Sequence, residues 1–300
     1  MARSKQSGAR PTLACEITPD RVITARAAKN GTALDMVTSR RLPEGAIKPG
    51  MSGNNVQDAA ALKNAINGAL AAVGGSSRDV IAIVPDASTR VLLLEFESMP
   101  TKPEEIEAVI RFRLKKSLPF DVEQSALSYD VRRVGQTIQV VAAVSPQEVL
   151  GEYETVFRDA GYLPGVVLPS LLATLGLVEG QSPTLLLKVD PLSITVAAAE
   201  RQELRLVRTL DNPHGENVTA TELAEAVLPS IVFFEDTFGA RIEKIFIGGV
   251  ATIQEVGAML HEQTGAHVEE LTPSISSGQN LSGDTFPPSV LAGVAGALLG

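Results

Sequence analysis

The feature that most constrains the fold of this chain is a weak internal repeat. Residues 12–25 read TLACEITPDRVITA and residues 184–197 read TLLLKVDPLSITVA, so that the first Thr, the first Leu, the Pro and the final Ala coincide. Each segment consists of two apolar runs joined at a proline turn, which is typical of two consecutive strands. A strand pair that recurs in the second half indicates a duplicated unit if the surrounding elements recur as well.

The surrounding elements do recur, because each half continues with a third strand, a helix and a short buried strand. These are predicted as a strand ending near Arg41, a helix over 57–73 and a strand from Asp79, and then as a strand over 204–210, a helix over 219–238 and a strand from Glu243. Thr219 and Glu222 form a capping-box pattern, and Gly239 is a suitable C-terminal stop for the second helix. The repeated order predicts an α/β fold of the duplicated actin-like, ribonuclease-H-like type, with two lobes.

A segment between the two halves fits neither of them. From Asp86 to Gly161 the sequence predicts a strand, a helix, two strands and a second helix, which is the content of a small α+β subdomain. We therefore expect an inserted subdomain within the first lobe. The expected division is a flexible lead-in over 1–11, a first lobe over 12–85, 162–181 and 289–300, the insert over 86–161, and a second lobe over 182–288.

Composition excludes some classes of function. The formal net charge of -9 and the pI near 5.0 argue against nucleic acid as the main partner, because phosphate neutralisation needs concentrated Lys and Arg. The single cysteine, Cys15, lies in an apolar strand and cannot form an intramolecular disulfide. No stretch reaches the length of a membrane span, and no signal-peptide pattern occurs at the start. We expect a cytoplasmic protein.

Five blocks of the sequence resemble the type IV pilus assembly PilM family, bacterial relatives of the cell-division protein FtsA. The blocks are LPEGAI from Leu42, MPTKPEEIEAVIRFRLKKSLPF from Met99, VVAAVSPQEVLGEYETVFRDAGYLPGVVLPSLLAT from Val140, IEKIFIGGVATIQEVGAMLHEQTGAHVEEL from Ile242 and FPPSVLAGVAGALLG from Phe286. They follow the family order from Pro11 to Gly300. The cytoplasmic part of the type II secretion protein GspL is a close relative that these blocks do not exclude.

The resemblance implies two actin-like lobes with an insert that the family calls subdomain 1C. It implies a cytoplasmic protein that is peripheral to the inner membrane through its partner. PilM-like proteins capture the short cytoplasmic tail of the inner-membrane protein PilN and link it to other proteins of the pilus machine. Self-association is a further expectation, and typical members bind ATP in the cleft between the lobes.

The two phosphate loops of the family are altered in this chain. Aligned on the family pattern, the first loop has Glu16 for Asp, Thr18 for Gly and Pro19 for Ser. In the second loop, Lys188, Asp190 and Pro191 replace a pattern like Asp-Ile-Gly-Ala-Thr. Glycine lets the backbone approach phosphate, whereas proline has no N–H, so the loss of two charge-assisted donors is expected to cost about 3–6 kcal/mol of binding.

Two consequences are predicted for the altered loops. We expect weak or no ATP binding and no catalysis, although the resemblance keeps ATP with Mg²⁺ as a possible ligand. Glu16 and Lys188 end equivalent strands, and we expect them to form an ion pair across the cleft. The alternative is that Lys188 attracts a phosphate on its own.

The adenosine-side motif of the family, Gly248 and Gly249, is intact. Two interpretations stay open: close approach to a nucleotide, or a strand-to-helix turn that itself requires glycine. Other sites are not indicated, because His214, His261 and His267 lack metal-ligand spacing.

The sequence thus predicts a non-catalytic scaffold that binds a partner peptide. The resemblance places that peptide at subdomain 1C and its junction with the first lobe, and Arg111, Lys115 and Phe120 are the candidate contacts. The alternatives are a nucleotide-binding actin-fold ATPase or kinase, and a GspL-like component of type II secretion.

Overall fold

Two sheets with the same strand plan organise the molecule. The computed structural model describes residues 10–178, 181–249, 253–273, 275–283 and 288–300. The elements are β1 (Leu13–Ile17), β2 (Arg21–Ala27), β3 (Leu34–Arg41), α1 (Ala59–Val73), β4 (Asp79–Val84), β5 (Arg90–Phe96), α2 (Pro103–Leu114), β6 (Ser125–Val134), β7 (Thr137–Pro146), α3 (Gln147–Asp159), β8 (Leu163–Pro169), α4 (Ser170–Leu175), β9 (Thr184–Val189), β10 (Ser193–Glu200), β11 (Glu203–Asp211), α5 (Ala220–Phe238), β12 (Lys244–Gly248), α6 (Ile253–Thr264), β13 (His267–Glu270), β14 (Ile275–Gly283) and α7 (Ala292–Leu299).

The strand pairings confirm the duplication. The first sheet has the order β14-β3-β2-β1-β4-β8 and the second has the order β11-β10-β9-β12-β13. In each, the first three strands of the half pair antiparallel, and its first strand pairs parallel with the strand that follows the helix. The repeated segments of the sequence therefore form equivalent hairpins, β1–β2 and β9–β10, at the centre of each lobe.

Helix ends follow local sequence signals. Asp58 caps α1 by accepting from Ala61 N at 2.9 Å. Thr219 and Glu222 form the predicted capping box of α5, and Gly239 ends that helix in the left-handed region at φ +65°.

Each lobe has its own apolar core, and a smaller apolar cluster joins the two. In the first lobe, α1 and α3 pack on one face of the sheet and α7 packs on the other. In the second lobe, α5 and α6 cover one face. The joining cluster brings together Leu171 of α4, Leu186 of β9, Ala197 of β10, Leu271 and Ala292 of α7.

The inserted subdomain is smaller than the sequence predicted. Its sheet, β5-β7-β6, is covered by α2, and Leu94, Ile110 and Val140 are among the buried residues of its core. The helix α3 packs instead in the first lobe, because Tyr153 and Phe157 belong to the core beneath α1. The predicted C-terminal boundary of the insert at Gly161 is therefore wrong, since α3 buries its apolar face on the sheet of the first lobe.

The predicted end of the second lobe at residue 288 is wrong for a similar reason. β14 pairs parallel with β3 and so extends the sheet of the first lobe. Residues 1–9 of the predicted flexible lead-in lie outside the described residues. Arg10 is held in place, because its guanidinium donates to the carbonyl oxygens of Ala297 and Gly300 at the end of α7.

Among the described residues, no helix has both the length and the apolar character that crossing a membrane would require.

Candidate functional site

Glu16 and Lys188 meet at the junction of the two lobes. Glu16 lies near the end of β1 and Lys188 near the end of β9, in equivalent positions of the duplicated hairpins. Lys188 Nζ lies 3.3 Å from Glu16 Oε1, and the two side chains are only 8% and 1% exposed. The ion pair that the internal repeat predicted is therefore confirmed.

Two more side chains hold this pair. Lys188 Nζ also donates to both carboxylate oxygens of Asp190, each at 3.0 Å. On the other side, Ser170 Oγ at the start of α4 donates to Glu16 Oε1. One ammonium group is thus shared by two carboxylates, one from each lobe.

Asp86 adds a third carboxylate to the cluster. It lies just after β4, is buried, and its Oδ1 accepts from Leu171 N at 2.8 Å, in the first turn of α4. Burial raises the pKa of Asp86 to about 6, although the charge on Lys188 opposes that shift. Asp86 is therefore ionised at neutral pH and takes up a proton about one pH unit lower.

Glu16 and Lys188 have shifted pKa values as well. Burial raises the pKa of Glu16 and Lys188 opposes the shift. For Lys188, burial would lower the pKa, but the surrounding carboxylates of Asp190, Glu16 and Asp86 outweigh it and raise the value. Lys188 is consequently a permanent cation at this junction.

The C-terminal helix covers the cluster. A Cβ at Gly293 of α7 would lie 2.1 Å from Glu16 Oε2, so that only glycine leaves room for the carboxylate. Glu16 Oε2 and Asp86 Oδ2 are buried and have no hydrogen-bond partner among the described residues.

The two altered phosphate loops are closed hairpin turns. Thr18 N donates to Arg21 O at 2.9 Å and Asp190 N donates to Ser193 O at 2.8 Å. Pro19 and Pro191 have no N–H to offer. The residues at these positions therefore do not fit a phosphate cradle, because their amide groups are used within the turns or are missing.

Gly249 has a structural requirement of its own. Its φ is +87°, and a Cβ there would lie 2.0 Å from the carbonyl oxygen of Val189. The close approach of this turn to the end of β9 accounts for the glycine without a ligand. Gly248 is less constrained, because a Cβ added there would lie 3.6 Å from its nearest neighbour, Ser289 O.

The partner-binding candidates lie on or after α2, in three different environments. Arg111 is engaged inside the insert: it pairs with Glu107 at 2.9 Å and donates to the carbonyl oxygens of Val122 and Ser125. Lys115 is half exposed and pairs with Glu123 at 2.6 Å. Phe120 is partly buried.

Sequence reasoning missed Asp86, Ser170 and Gly293. Asp86 could have been found, because it follows the buried strand β4, whose neighbour β1 ends at the same edge of the sheet with Glu16. Ser170 and Gly293 gave no local signal, since both reach Glu16 through long-range packing alone. Within the described ranges, no group of three or more His, Cys, Asp or Glu side chains is arranged to hold a metal ion.

Solved structures of other proteins share the fold of this chain. No protein-family model matches the chain, and no curated protein does. A chain of the PilM–PilN type IV pilus biogenesis complex matches at 20% identity and a TM-score of 0.77, over 96% of this chain and 97% of that chain.

Two further solved structures match with lower scores. The cytoplasmic domain of EpsL, an inner membrane component of the type II secretion system of Vibrio cholerae, matches at 12% identity and a TM-score of 0.55, over 95% of this chain and 94% of that chain. The ethanolamine utilization protein EutJ from Carboxydothermus hydrogenoformans matches at 10% identity and a TM-score of 0.52, over 96% and 89%. The chain has the two-lobe actin-like fold that its internal repeat predicted.

Proposed function

We propose that this chain is a PilM-like scaffold of a type IV pilus assembly machine, which binds the cytoplasmic tail of a PilN-like inner-membrane protein. The observation that carries the proposal is the similarity to a chain of the PilM–PilN complex, which extends over nearly the whole length of both chains and so includes the insert. In this role the protein works at the cytoplasmic face of the inner membrane, held there by its partner, and contacts other proteins of the machine.

The proposed scaffold does not hydrolyse ATP. The position between the lobes is taken by a buried cluster of one ammonium group and three carboxylates, from Lys188, Glu16, Asp190 and Asp86. A triphosphate there would add negative charge beside these carboxylates, and Pro19 and Pro191 have no N–H to compensate. Both observations support a protein that keeps the actin-like fold for binding another protein.

Partner binding is tested with a fluorescent peptide that reproduces the cytoplasmic tail of the PilN-like protein from the same genome. We expect saturable binding by anisotropy, and no binding of a peptide with the same composition in scrambled order. Lys115→Glu and Phe120→Ala are expected to weaken binding, whereas Lys63→Glu on the exposed face of α1 should not. Arg111→Glu is less informative, since the Arg111 guanidinium holds the carbonyl groups of Val122 and Ser125. If the tail peptide does not bind saturably, the proposal is wrong.

The non-catalytic part of the proposal has a separate test. We expect Mg-ATP at millimolar concentration to leave the melting temperature unchanged, because a ligand stabilises only in proportion to its occupancy. A saturable rise at sub-millimolar nucleotide, together with phosphate release, would instead support an actin-fold ATPase or kinase. Lys188→Met serves as the matched variant, because it removes the cation of this cluster and should abolish a nucleotide response that depends on it.

A component of type II secretion is the second candidate. The likeness to the cytoplasmic domain of EpsL favours it, at a lower TM-score than the likeness to the pilus complex. The same binding assay separates the two candidates when it includes cytoplasmic segments of the type II secretion proteins of the same genome. Preference for a type II secretion segment over the PilN-like tail would reverse the assignment.

A further inference from the structure

The edge strand β13 of the second lobe has an open side. In the second sheet β13 stands last in the strand order, beside β12, and no other described strand lies on its far side. The amide of Leu271, just after β13, donates to the carbonyl oxygen of Ile247 of β12 at 2.8 Å. Because backbone groups alternate in direction along a strand, the N–H groups of Val268 and Glu270 point away from β12. A further strand would pair with these groups.

The equivalent edge of the first lobe is better protected. There β8 ends the sheet beside β4, as β13 ends the second sheet beside β12. Pro164 and Pro169 remove two backbone donors from β8, and its register with β4 shifts at Gly165. Prolines and bulges are common protections of an exposed edge, and β13 has neither. Its protection is limited to its short length and its charged side chains.

A groove of about 550 Å³ lies between β13 and the neighbouring helix α6. On the helix side it is lined by Gly257, Ala258 and His261, and on the strand side Val268 and Glu270 are among its lining residues. Because Gly257 and Ala258 are small, the groove has room for side chains of a strand added at this edge.

The groove is acidic. Together α6 and β13 contain four Glu and no Lys or Arg. Glu269 and Glu270 line the groove, and Glu269 Oε1 lies 2.7 Å from His267 Nε2. Lys244 of β12 lies in register with His267, at the opposite end of β13 from Glu270. Like charges on facing strands repel each other, so the edge disfavours an acidic strand and favours a basic one.

We propose that β13 and its groove bind an extended basic segment of another protein as an additional strand. Because side chains alternate between the two faces of a strand, the bound segment has an apolar residue opposite Val268 and basic residues opposite Glu269 and Glu270. The β13 edge of a second copy is disfavoured, because it would bring the same acidic pair. The site is separate from the tail binding proposed above, since β13 and β11 lie at opposite ends of the second sheet and β11 contacts β5 of the insert.

Binding is tested by fluorescence anisotropy with a labelled peptide of repeated Val-Arg-Lys-Thr units. We expect saturable binding with a Kd of about 10–100 µM, which added salt weakens because the charges are exposed. Glu269→Lys combined with Glu270→Lys should raise the Kd at least about tenfold. Glu255→Lys combined with Glu262→Lys is the matched control, because it makes the same charge change at exposed positions of α6 outside the groove. Since salt screens distant charges, the control should change the Kd by less than about twofold.

A second peptide separates strand pairing from simple attraction between charges. It has Pro in place of each Val, so that it keeps the charge but lacks backbone donors that a strand needs. We expect it to bind at least about tenfold more weakly, and we expect only the Val peptide to slow hydrogen exchange in β13. Circular dichroism melts establish that both charge variants are folded.

Three results would overturn the proposal. They are a Kd above about 1 mM for the wild-type chain, equal binding of the Pro peptide, and unchanged binding by the chain with Glu269→Lys and Glu270→Lys. Self-association of the wild-type chain that this double variant abolishes would assign the edge to a second copy instead.

Discussion

At the scale of single residues, Lys188 determines the charge balance between the lobes. It is the cation to which Glu16 of one lobe and Asp190 of the other are paired, and all three side chains are largely buried. Removing one partner from a buried ion pair leaves an uncompensated charge that water cannot reach. The buried ion pairs of Lys188 are thus more important for stability than an ion pair on the surface would be.

Lys188→Met should lower the free energy of unfolding by about 3–5 kcal/mol in urea denaturation, because it leaves buried carboxylates without their counter-charge. The double variant Glu16→Gln/Lys188→Met should recover at least about 1 kcal/mol of that loss. Lys63→Met is the control: Lys63 is exposed on α1 and should change stability by no more than about 0.5 kcal/mol. Equal effects of the two lysine variants would contradict a buried ion pair at the lobe junction.

Asp86 should make stability depend on pH in an unusual direction. Its pKa is about 6 in the folded protein, against about 3.9 for an unfolded Asp. Between these values the folded state binds more protons than the unfolded state, so the contribution of Asp86 to the free energy of unfolding falls as the pH rises. The full fall is about 3 kcal/mol between about pH 4 and about pH 6, which is an upper limit because Asp86 is coupled to the neighbouring charges of the buried cluster.

Asp86→Asn tests this, since the amide oxygen still accepts from Leu171 N. Urea denaturation of both proteins over that pH range should show the variant gaining stability relative to the wild type as the pH rises. A constant difference across the range would mean that Asp86 titrates normally.

At the scale of elements, α7 depends on glycine for its position. A Cβ on Gly296 would lie 2.0 Å from the carbonyl oxygen of Ala173 in α4, which is backbone and cannot turn away. Gly293 of the same helix faces Glu16, so the helix meets both α4 and the charged cluster through glycine. Replacing Gly296 forces α7 away from α4, whereas replacing Gly293 displaces the Glu16 carboxylate.

Gly296→Ala should therefore cost about 2–3 kcal/mol of stability by chemical denaturation. Gly68→Ala is the matched variant: it makes the same change inside α1, has no atom within 4 Å of the added Cβ, and should gain about 0.5–1 kcal/mol. If both variants gained stability, the close contact between α7 and α4 would be wrong.

Much of the element order could be predicted from sequence, because local signals mark it. Apolar runs gave the strands, and Thr219, Glu222 and Gly239 gave the limits of α5. The placement of α3 could not be predicted in the same way. Helical spacing shows that Tyr153 and Phe157 share an apolar face, but it does not show which sheet that face covers.

The candidate site likewise contains residues that the sequence predicts and residues that it does not. Glu16 and Lys188 were predicted as a pair because the duplication relates their positions, whereas Ser170 is 154 residues from Glu16 in sequence and meets it through tertiary packing alone.

At the scale of the whole molecule, the insert and the first lobe have separate cores. Ile110 is buried within the insert, and Phe157 is buried beneath α1 in the first lobe. Residues that share a core unfold together, whereas regions with separate cores can unfold independently. We therefore expect the insert and the first lobe to open separately, even though α3 directly follows the insert in sequence.

Hydrogen exchange measured by mass spectrometry tests this separation. Ile110→Ala should speed exchange in β5, β6, β7 and α2 by removing about 2–5 kcal/mol of core packing, and Phe157→Ala should speed it in α1 and β4 by removing about 3–5 kcal/mol. If Ile110→Ala also speeds exchange in α1 to the same extent, the insert and the first lobe unfold as one unit.

Two late elements complete the first lobe: β14 pairs with β3, and α7 packs on the sheet. This order has a consequence for synthesis on the ribosome. The second lobe is built from one continuous stretch, from β9 to β13, and can fold once that stretch has emerged. The first lobe starts with the earliest strands but waits for the latest elements, because its inner face is covered by Leu291, Val294 and Leu298. The part of the protein that is made first is thus completed last, and until then its uncovered apolar face is available to chaperones and to misfolding.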